Sequence, residues 1–227
     1  MSDRSLASIE VIYSDDSLVV VNKPSGLSVH RGADRGSTFA LQIVRDQIGR
    51  YVYPLHRLDR PTSGVLAFAL SPERARVANR AFEEGCVEKQ YLALVAGTPD
   101  EHFVIDEPMA NEPGGTPVRA CTEGTRLFVT EHGFSLVSVR PRTGRHHQIR
   151  RHMKRRHHKV AGDVEHGEGP VNRRLRADFG LYRLALHALA LTLPHPVDGK
   201  PLFLRASVPA DLREPLERMG VPAGLLR

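Results

Sequence analysis

The chain is poor in the residues from which several common kinds of site are built. It has two cysteines, Cys86 and Cys121, among 227 residues. Two thiols so far apart make no disulfide framework and no paired-thiol metal spacing, so we expect ordinary buried or half-buried thiols. The sequence also lacks a Gly-rich dinucleotide turn and a GxxxxGK phosphate loop. Nothing in the sequence therefore indicates a disulfide scaffold or a nucleotide-binding loop.

Long apolar runs are missing as well. The longest, Val65 to Leu70 and Tyr91 to Ala96, are far too short to cross a bilayer. The N-terminus is acidic and has no basic region followed by an apolar segment, so it does not resemble an export signal. We expect a cytoplasmic protein without a membrane partner. The 41% hydrophobic content is enough to bury a core in one large domain or two small subdomains.

Positive charge is in excess and is unevenly placed. The net charge is +6, and the segment Arg140 to Lys159 holds nine Lys or Arg, five His and no Asp or Glu. Such a segment is typical of polyanion binding, although a solvated basic helix face would give the same count. Because the histidines are interleaved with cations and no carboxylate lies among them, we predict no metal site and interpret the segment as a solvated, RNA-facing helix.

The nonapeptide HRLDRPTSG, His56 to Gly64, carries the clearest chemical signal. It places Asp59 between Arg57 and Arg60, and cations at that distance favour an ionised carboxylate. Pro61 and the residues after it predict a turn, so Asp59 is expected on a loop, where it suits a nucleophile better than a proton donor. A plain surface ion pair is the alternative for any isolated motif of this kind.

Periodicity and turn residues predict strands mixed with helices. Ser71 is expected to cap the clearest helix, with Pro72 in its first turn and Gly85 ending it. Hairpins mixed with a few helices indicate an α+β fold on a largely antiparallel sheet. The predicted strands are 9–13, 18–22, 65–70, 87–96, 125–130, 134–139, 184–193 and 202–206; the predicted helices are 38–48, the segment after Ser71, 145–156 and 209–219; 106–117 and 165–174 are predicted surface loops.

Several segments in the same order resemble landmarks of the RluA-type pseudouridine synthases. Besides HRLDRPTSG they are NKPSG at Asn22 to Gly26, VH at Val29 and His30, KQYLALVAG at Lys89 to Gly97, RPRTGRHHQIRRH at Arg140 to His152, GD at Gly162 and Asp163, and LHA at Leu186 to Ala188. The resemblance runs from about Val11 to about Ala206. It implies a bent mixed sheet flanked by helices, with a central active-site cleft, in a single catalytic domain of two subdomains. Since the first strand begins near Ile9, no separate N-terminal RNA-binding module is expected.

The resemblance also implies the chemistry, which is isomerisation of a uridine in RNA to pseudouridine without cofactor or metal. Asp59 stands at the catalytic position, and the sequence leaves open whether it attacks C1′ or removes the 2′ proton. Tyr91 resembles the active-site tyrosine, although a lone strand tyrosine is also typical of plain core. Arg150 resembles the basic partner of the carboxylate, with Arg145 as the competing assignment.

Further residues of these motifs are assigned to substrate binding. Arg57 is expected to fill the space of a flipped base or to pair with Asp59. His56 is expected to steady the loop or contact RNA. The full predicted substrate-binding set is His56, Arg57, Arg60, Arg145, His147 and Gln148.

Finer details resemble the branch that modifies uridine 65 of transfer RNA. They are VHRG at 29–32, VRDQIG at 44–49 and FGLYRLALHA at 179–188, with departures at Lys159, Val160, Glu165 and His166 that bear on substrate choice. Ribosomal RNA is the alternative substrate. A non-catalytic RNA-binding protein and a histidine-dependent RNA hydrolase are the alternative function classes. We expect a monomer.

Overall fold

A computed structural model describes residues 8–30, 38–111 and 114–227. The chain divides into two compact units, one formed by Met1–Glu88 with Ala190–Ala206 and the other by Lys89–Leu189 with Ser207–Arg227. In the described part the strands are β1 Val11–Ser14, β2 Leu18–Lys23, β3 Tyr53–Pro54, β4 Ser63–Ala69, β5 Glu88–Ala96, β6 His102–Asp106, β7 Cys121–Val129, β8 Phe134–Pro141, β9 Leu186–Pro194 and β10 Pro201–Arg205. The helices are α1 Ala40–Ile48, α2 Pro72–Glu83, α3 Gln148–Arg155, α4 Gly169–Phe179 and α5 Ala210–Arg218, followed by a 3₁₀ turn, η1, at Ala223–Leu226.

The first unit is built on antiparallel strands that are buried along most of their length. β2 pairs with β1 on one side and β4 on the other, β3 also pairs with β4, and β10 pairs with the second half of β9. All seven residues of β4 are buried. Leu18, Val65 and Leu191 belong to a core cluster against which α2 presents its alanines. A strand so enclosed gives the loop that precedes it a rigid base.

The ends of α2 follow the local rules read from the sequence. Ser71 caps the helix, and its Oγ accepts a hydrogen bond from the Arg74 N–H at 3.3 Å. Pro72 occupies the first turn, and Gly85 adopts a positive φ of 75° immediately after the helix. The predicted cap, first turn and terminator are confirmed.

The second unit has an antiparallel sheet in the order β5-β8-β7-β6. β7 and β8 form the predicted hairpin across Glu131 to Gly133. One core cluster of this unit includes Leu92, Leu136 and Leu212, and a second includes Val95, Val137 and Met153. The α+β class and the mostly antiparallel pairing expected from the sequence are confirmed.

Some predicted elements were wrong or displaced. The segment 165–174 was expected to be a loop, but α4 begins at Gly169, has Pro170 in its first turn and ends at Phe179, before Gly180. Pro is favourable at that position, so the Gly-Pro pair marks a helix start and not a break. β3 and β6 were not predicted. Arg31 and Gly32 of the VHRG string lie outside the described residues. The first helix was predicted from residue 38, but α1 begins at Ala40, and Phe39 precedes it.

Among the described residues, the helices are too short or too polar for any of them to cross a bilayer.

Candidate active site

Asp59 lies on the loop between β3 and β4, where the backbone is held in a turn. The Thr62 N–H donates to the Asp59 carbonyl at 3.0 Å, and β4 begins at the next residue, Ser63. Leu58 is buried, whereas Asp59 itself is half-buried. The carboxylate therefore projects from a short turn fixed at its C-terminal end by a completely buried strand.

A second turn, Pro24 to Gly26 directly after β2, braces this loop. The Gly26 N–H donates to the Arg60 carbonyl at 2.9 Å, and Arg60 Nε donates back to the Gly26 carbonyl at 3.0 Å. Ser25 Oγ donates to the Pro61 carbonyl at 2.8 Å. The two segments that resemble family landmarks thus form one hydrogen-bonded support for Asp59.

Lys23 is buried within this support. Its side chain is 0% exposed, and its ammonium group donates to the carbonyls of Pro24 at 2.9 Å, Leu27 at 2.7 Å and Arg60 at 3.3 Å. A buried ammonium is tolerated only when its donors are satisfied, so these carbonyls keep Lys23 in place. The sequence reading gave Lys23 no role. A lysine next to a Pro-Ser-Gly turn gave no signal that it would be buried.

The ring of His56 makes two contacts within the first unit, a hydrogen bond and a stacking contact. Its Nε2 accepts a hydrogen bond from the Ala67 N–H at 3.2 Å, and the ring stacks on Phe82 with centroids 5.6 Å apart. Of the two roles expected for His56, these contacts support steadying the loop. Its contact with RNA stays a prediction.

The two arginines beside Asp59 are exposed. Arg60 uses its Nε to hold the neighbouring turn, as described above. Arg57 lies on the solvent side of the loop, a position compatible with entering the space of a displaced base.

The second unit carries Tyr91 and the residues of α3. Tyr91 is half-buried in β5, opposite Val139 of β8, and packs against the cluster that contains Val137 and Ile149. Lys89, two residues earlier, donates to the Thr143 carbonyl at 3.2 Å, and its burial lowers the pKa of the ammonium group. Both residues are thus placed on one regular strand.

Gln148 joins the start of α3 to the sheet. Its Nε2 donates to the Cys121 carbonyl and to Thr122 Oγ1, each at 2.9 Å. Its Oε1 accepts from Thr143 Oγ1 at 2.6 Å and from the Arg145 N–H at 3.0 Å. The amide has two donor and two acceptor positions, and these bonds fill them. These bonds support a positioning role for Gln148, and its direct contact with substrate stays a prediction.

Arg150 forms a buried, two-pronged ion pair with Asp163. Nε lies 2.7 Å from Oδ2 and Nη2 lies 2.8 Å from Oδ1, with side-chain exposures of 3% and 1%. Burial alone would raise the pKa of Asp163, but Arg150 and the N–H groups of His166 and Glu165 lower it below its usual value. Arg150 Nη2 also lies 3.3 Å from Glu165 Oε2. Asp59 belongs to the first unit, and its pairing with Arg150 stays a prediction.

The other predicted residues of this segment differ in their surroundings. Arg145 is half-buried, and its Nε donates to the Arg119 carbonyl at 3.0 Å. His147 precedes α3 with a positive φ of 52°, an uncommon conformation for a residue with a side chain, and its ring lies beside His166. Contact of Arg145 and His147 with substrate stays a prediction.

The interpretation of 145–156 as a solvated helix is wrong for one face of α3. Gln148, Ile149, Arg150, His152 and Met153 are buried. His152 bonds Thr122 Oγ1 at 2.8 Å and the Glu107 carbonyl at 3.0 Å, and burial lowers the pKa of its ring. The charge count could not separate the buried residues from the exposed ones because α3 is short and basic on both faces.

Comparison with a family model agrees with these motifs. Residues 17–155 match the model described as RNA pseudouridylate synthase. The match includes the Asp59 loop, β5 with Tyr91, and α3 with Arg150.

Relatives that match most of this chain point in the same direction, although the chain spans only 58% of the length of the first. A protein of Pectobacterium carotovorum subsp. carotovorum named tRNA pseudouridine synthase C is 44% identical across 87% of this chain and 58% of its own length. A protein of the same name from Vibrio cholerae is 41% identical across 88% of this chain and 91% of its own length.

Solved structures are similar over nearly all of the chain. Human RNA Pseudouridylate Synthase Domain Containing 4 superposes with a TM-score of 0.78 at 25% identity and covers 93% of both chains. Human RNA Pseudouridylate Synthase Domain Containing 1 gives a TM-score of 0.74 at 26% identity, covering 93% of this chain and 89% of its own.

Proposed function

Because the chain belongs to the RNA pseudouridylate synthase family, we propose that it is an isomerase that converts a uridine of RNA to pseudouridine, with Asp59 as the reacting carboxylate. The observation that carries the proposal is the placement of Asp59 within HRLDRPTSG, on a turn braced by Gly26 and by the buried Lys23. A reacting group needs such support, since small displacements of it cost large factors in rate.

The reaction requires one bond to the ribose to be exchanged for another. The bond from uracil N1 to C1′ breaks, the base turns, and a bond from C5 to C1′ forms, while the C5 proton leaves and N1 gains one. Asp59 takes part either by attacking C1′ and being displaced by C5, or by removing the 2′ proton to give a glycal. Because no electrons are gained or lost overall, the reaction needs no redox cofactor, and none is proposed.

Three residues complete the proposed site. We propose that Arg150 is the cation that assists Asp59 in the reaction. Its pairing with Asp163 fixes the guanidinium plane within the second unit. Tyr91 contacts the uracil from β5. Arg57, exposed beside Asp59, occupies the space left by the base when it leaves the stack.

Transfer RNA is the proposed substrate. The relatives at 44% and 41% identity are named for activity on tRNA, and the VRDQIG and FGLYRLALHA strings resemble the branch acting on uridine 65. We place the reaction at that uridine, in the cytoplasm, with the protein acting as a monomer.

The test is site-resolved detection of pseudouridine in RNA treated with the purified protein. Unmodified tRNA and ribosomal RNA fragments are incubated with wild type, Asp59→Asn and Asp46→Asn, and each uridine is read by mass-tagged mapping. We expect product at tRNA uridine 65 with the wild type and with Asp46→Asn, and a loss of at least about a thousandfold with Asp59→Asn.

Asp46 is a matched control because it is an exposed carboxylate of the same unit that pairs with Arg45 at 2.8 Å. Product at a ribosomal site alone would overturn the tRNA assignment. RNA bound but unchanged by the wild type would indicate the non-catalytic alternative, and shortened RNA would indicate a hydrolase.

A further inference from the structure

Two histidines and a glutamate converge in the second unit, at the start of α3. His147 Nδ1 lies 3.0 Å from His166 Nε2 and 3.4 Å from Glu165 Oε1, and His166 Nε2 lies 3.6 Å from the same oxygen. One atom from each side chain therefore occupies a corner of a nearly regular triangle. His166 and Glu165 come from the turn after Asp163, so the sequence spacing of His147 alone does not reveal the group.

The size of this triangle matches the edges of a metal coordination shell. Imidazole nitrogen and carboxylate oxygen bind Zn²⁺ at about 2.0–2.2 Å, which in a tetrahedral shell separates two ligand atoms by about 3.4 Å. Two histidines with one carboxylate, leaving a position open, is also a recurrent donor set for such ions. Small side-chain adjustments would bring all three atoms to bonding distance of one cation.

The backbone around the three side chains is fixed independently of any metal. Asp163 Oδ1 accepts from the N–H groups of Glu165 at 3.0 Å and His166 at 2.9 Å, while Arg150 holds the same carboxylate. The turn ends at Gly167, where the chain passes so close to Asp163 that a Cβ would lie 2.2 Å from the Asp163 carbonyl oxygen. Only glycine fits at this position. The ring of His147 stacks on that of His146, with centroids 3.8 Å apart. The ligands are thus presented from braced segments.

Charge and access also permit a cation. Arg150 Nη2 lies 3.3 Å from Glu165 Oε2, which leaves Oε1 as the oxygen facing the histidines. Asp163 and Glu165 supply two negative charges here, against one positive charge on Arg150 and one on Lys154, which also acts on His166. Arg151 and Arg155 border the same cavity of about 390 Å³, but each donates to a backbone carbonyl, Ala110 at 2.7 Å and Pro108 at 3.1 Å respectively. Their positive charge lowers the affinity expected for a cation but does not block the site.

We infer that His147, Glu165 and His166 bind one divalent transition-metal ion of the zinc type. The inference revises the prediction of no metal, which considered only the carboxylate-free segment Arg140 to Lys159, whereas the fold brings Glu165 to it. The bound ion joins the N-terminal end of α3 to the turn between Asp163 and Gly167. Its fourth position faces the cavity. Binding of the ion does not depend on the proposed isomerase activity.

The experiment is a titration of chelator-treated full-length protein with Zn²⁺, followed by calorimetry and by competition with a chromogenic chelator. We expect one ion per chain and a rise in the unfolding midpoint on the order of 5 °C at saturating zinc. Titration with Co²⁺ should give the visible absorption of a four-coordinate site with nitrogen and oxygen ligands.

His166→Gln and Glu165→Gln are each expected to weaken zinc binding by at least about tenfold. His102→Gln is the matched control, since that histidine is exposed in β6 of the same unit and outside the triangle, and it should leave affinity unchanged. Unfolding midpoints measured in chelator verify that each variant folds. The inference would be overturned if the wild type showed no saturable zinc binding, or if both ligand variants bound zinc as tightly as the wild type. The contact between His147 and His166 would then be a hydrogen bond only. None of these readouts involves RNA.

Discussion

Individual polar residues inside this protein are held chiefly by backbone groups. Lys23 is surrounded by carbonyls, Gln148 joins a carbonyl and an N–H, and Asp163 accepts two N–H groups besides Arg150. Such bonds satisfy groups whose burial would otherwise be costly. Because they depend on how the backbone turns around each residue, a motif alone could not predict them. The sequence identified Asp59 from its immediate neighbours but not the buried lysine that supports its loop.

Asp15 offers a test of this kind of support through pH. Burial would raise its pKa, but hydrogen bonds from Tyr13 OH at 2.7 Å, from the N–H groups of Ser17 and Leu18, and from His195 Nε2 lower the pKa to about 2. A carboxylate with a lowered pKa stabilises the fold above its unfolded value near 4, and this stabilisation is lost as pH falls toward 2.

For Asp15→Asn we therefore expect a loss of about 1–2 kcal/mol in the free energy of unfolding near neutral pH, a figure reduced for partial solvent screening. The difference from wild type should shrink as pH falls from about 4 and approach zero only below about pH 2. Urea unfolding at several pH values measures it. A difference independent of pH would show that the charge of Asp15 is not what stabilises the turn. Asp16→Asn, at the next position of the same turn, serves as the control.

At the scale of helices and strands, agreement was best where a local signal marks an end. Ser71 and Pro72 mark the start of α2, and Gly49, with a φ of 71°, follows the last residue of α1. The prediction failed for α4, whose Gly-Pro start also suits a turn, and for β6, which pairs with β7 across a long connection. Local propensity does not predict the pairing of strands that are far apart in the sequence.

Two glycines of the second unit have a similar positive φ but differ in the space around them. Gly162 is the more tightly enclosed of the two. Its φ is +73°, and a Cβ would lie 1.9 Å from the Arg183 carbonyl oxygen. Gly133, in the β7–β8 turn of the same unit, has a φ of +79° and open space around it.

We expect Gly133→Ala to cost about 1–2 kcal/mol of stability and Gly162→Ala about 2–5 kcal/mol, because steric overlap adds to the backbone cost in the second case. Thermal and urea unfolding of both variants provide the comparison. Equal losses would mean that the Arg183 segment moves aside and that the close approach is unimportant.

At the scale of the whole molecule, the excess of positive charge predicts how the protein binds RNA. The net charge is +6, and cationic side chains such as Lys154 are exposed on α3. Contacts to phosphate release counterions, so affinity should fall steeply with salt.

For tRNA we expect at least a tenfold loss of affinity when salt rises from about 50 to about 200 mM. Lys154→Ala should reduce the slope of log affinity against log salt by about 1, while Lys200→Ala, on a turn of the first unit, should not. Filter binding over a salt series supplies the slopes. Asp59→Asn should keep the wild-type slope, and an affinity insensitive to salt would contradict phosphate binding.

The overall assignment could be made from sequence because several short motifs occur together and in order, and the α+β class followed from their surroundings. The contacts within each unit could not. Arg150 was singled out for Asp59, yet its buried partner within the second unit is Asp163, a residue noted only as part of a Gly-Asp landmark. Glu165 and His166 stood out merely as departures, and only the turn after Asp163 places them against His147.

The enclosure of Lys23 has a practical consequence. An amine shut away from water reacts with acylating reagents only during the moments when its surroundings come apart. The labelling rate of Lys23 can be compared with that of a surface amine such as Lys200 by peptide mass spectrometry. It therefore measures how often the Asp59 turn opens transiently. It reports that opening without any probe being attached to the turn itself.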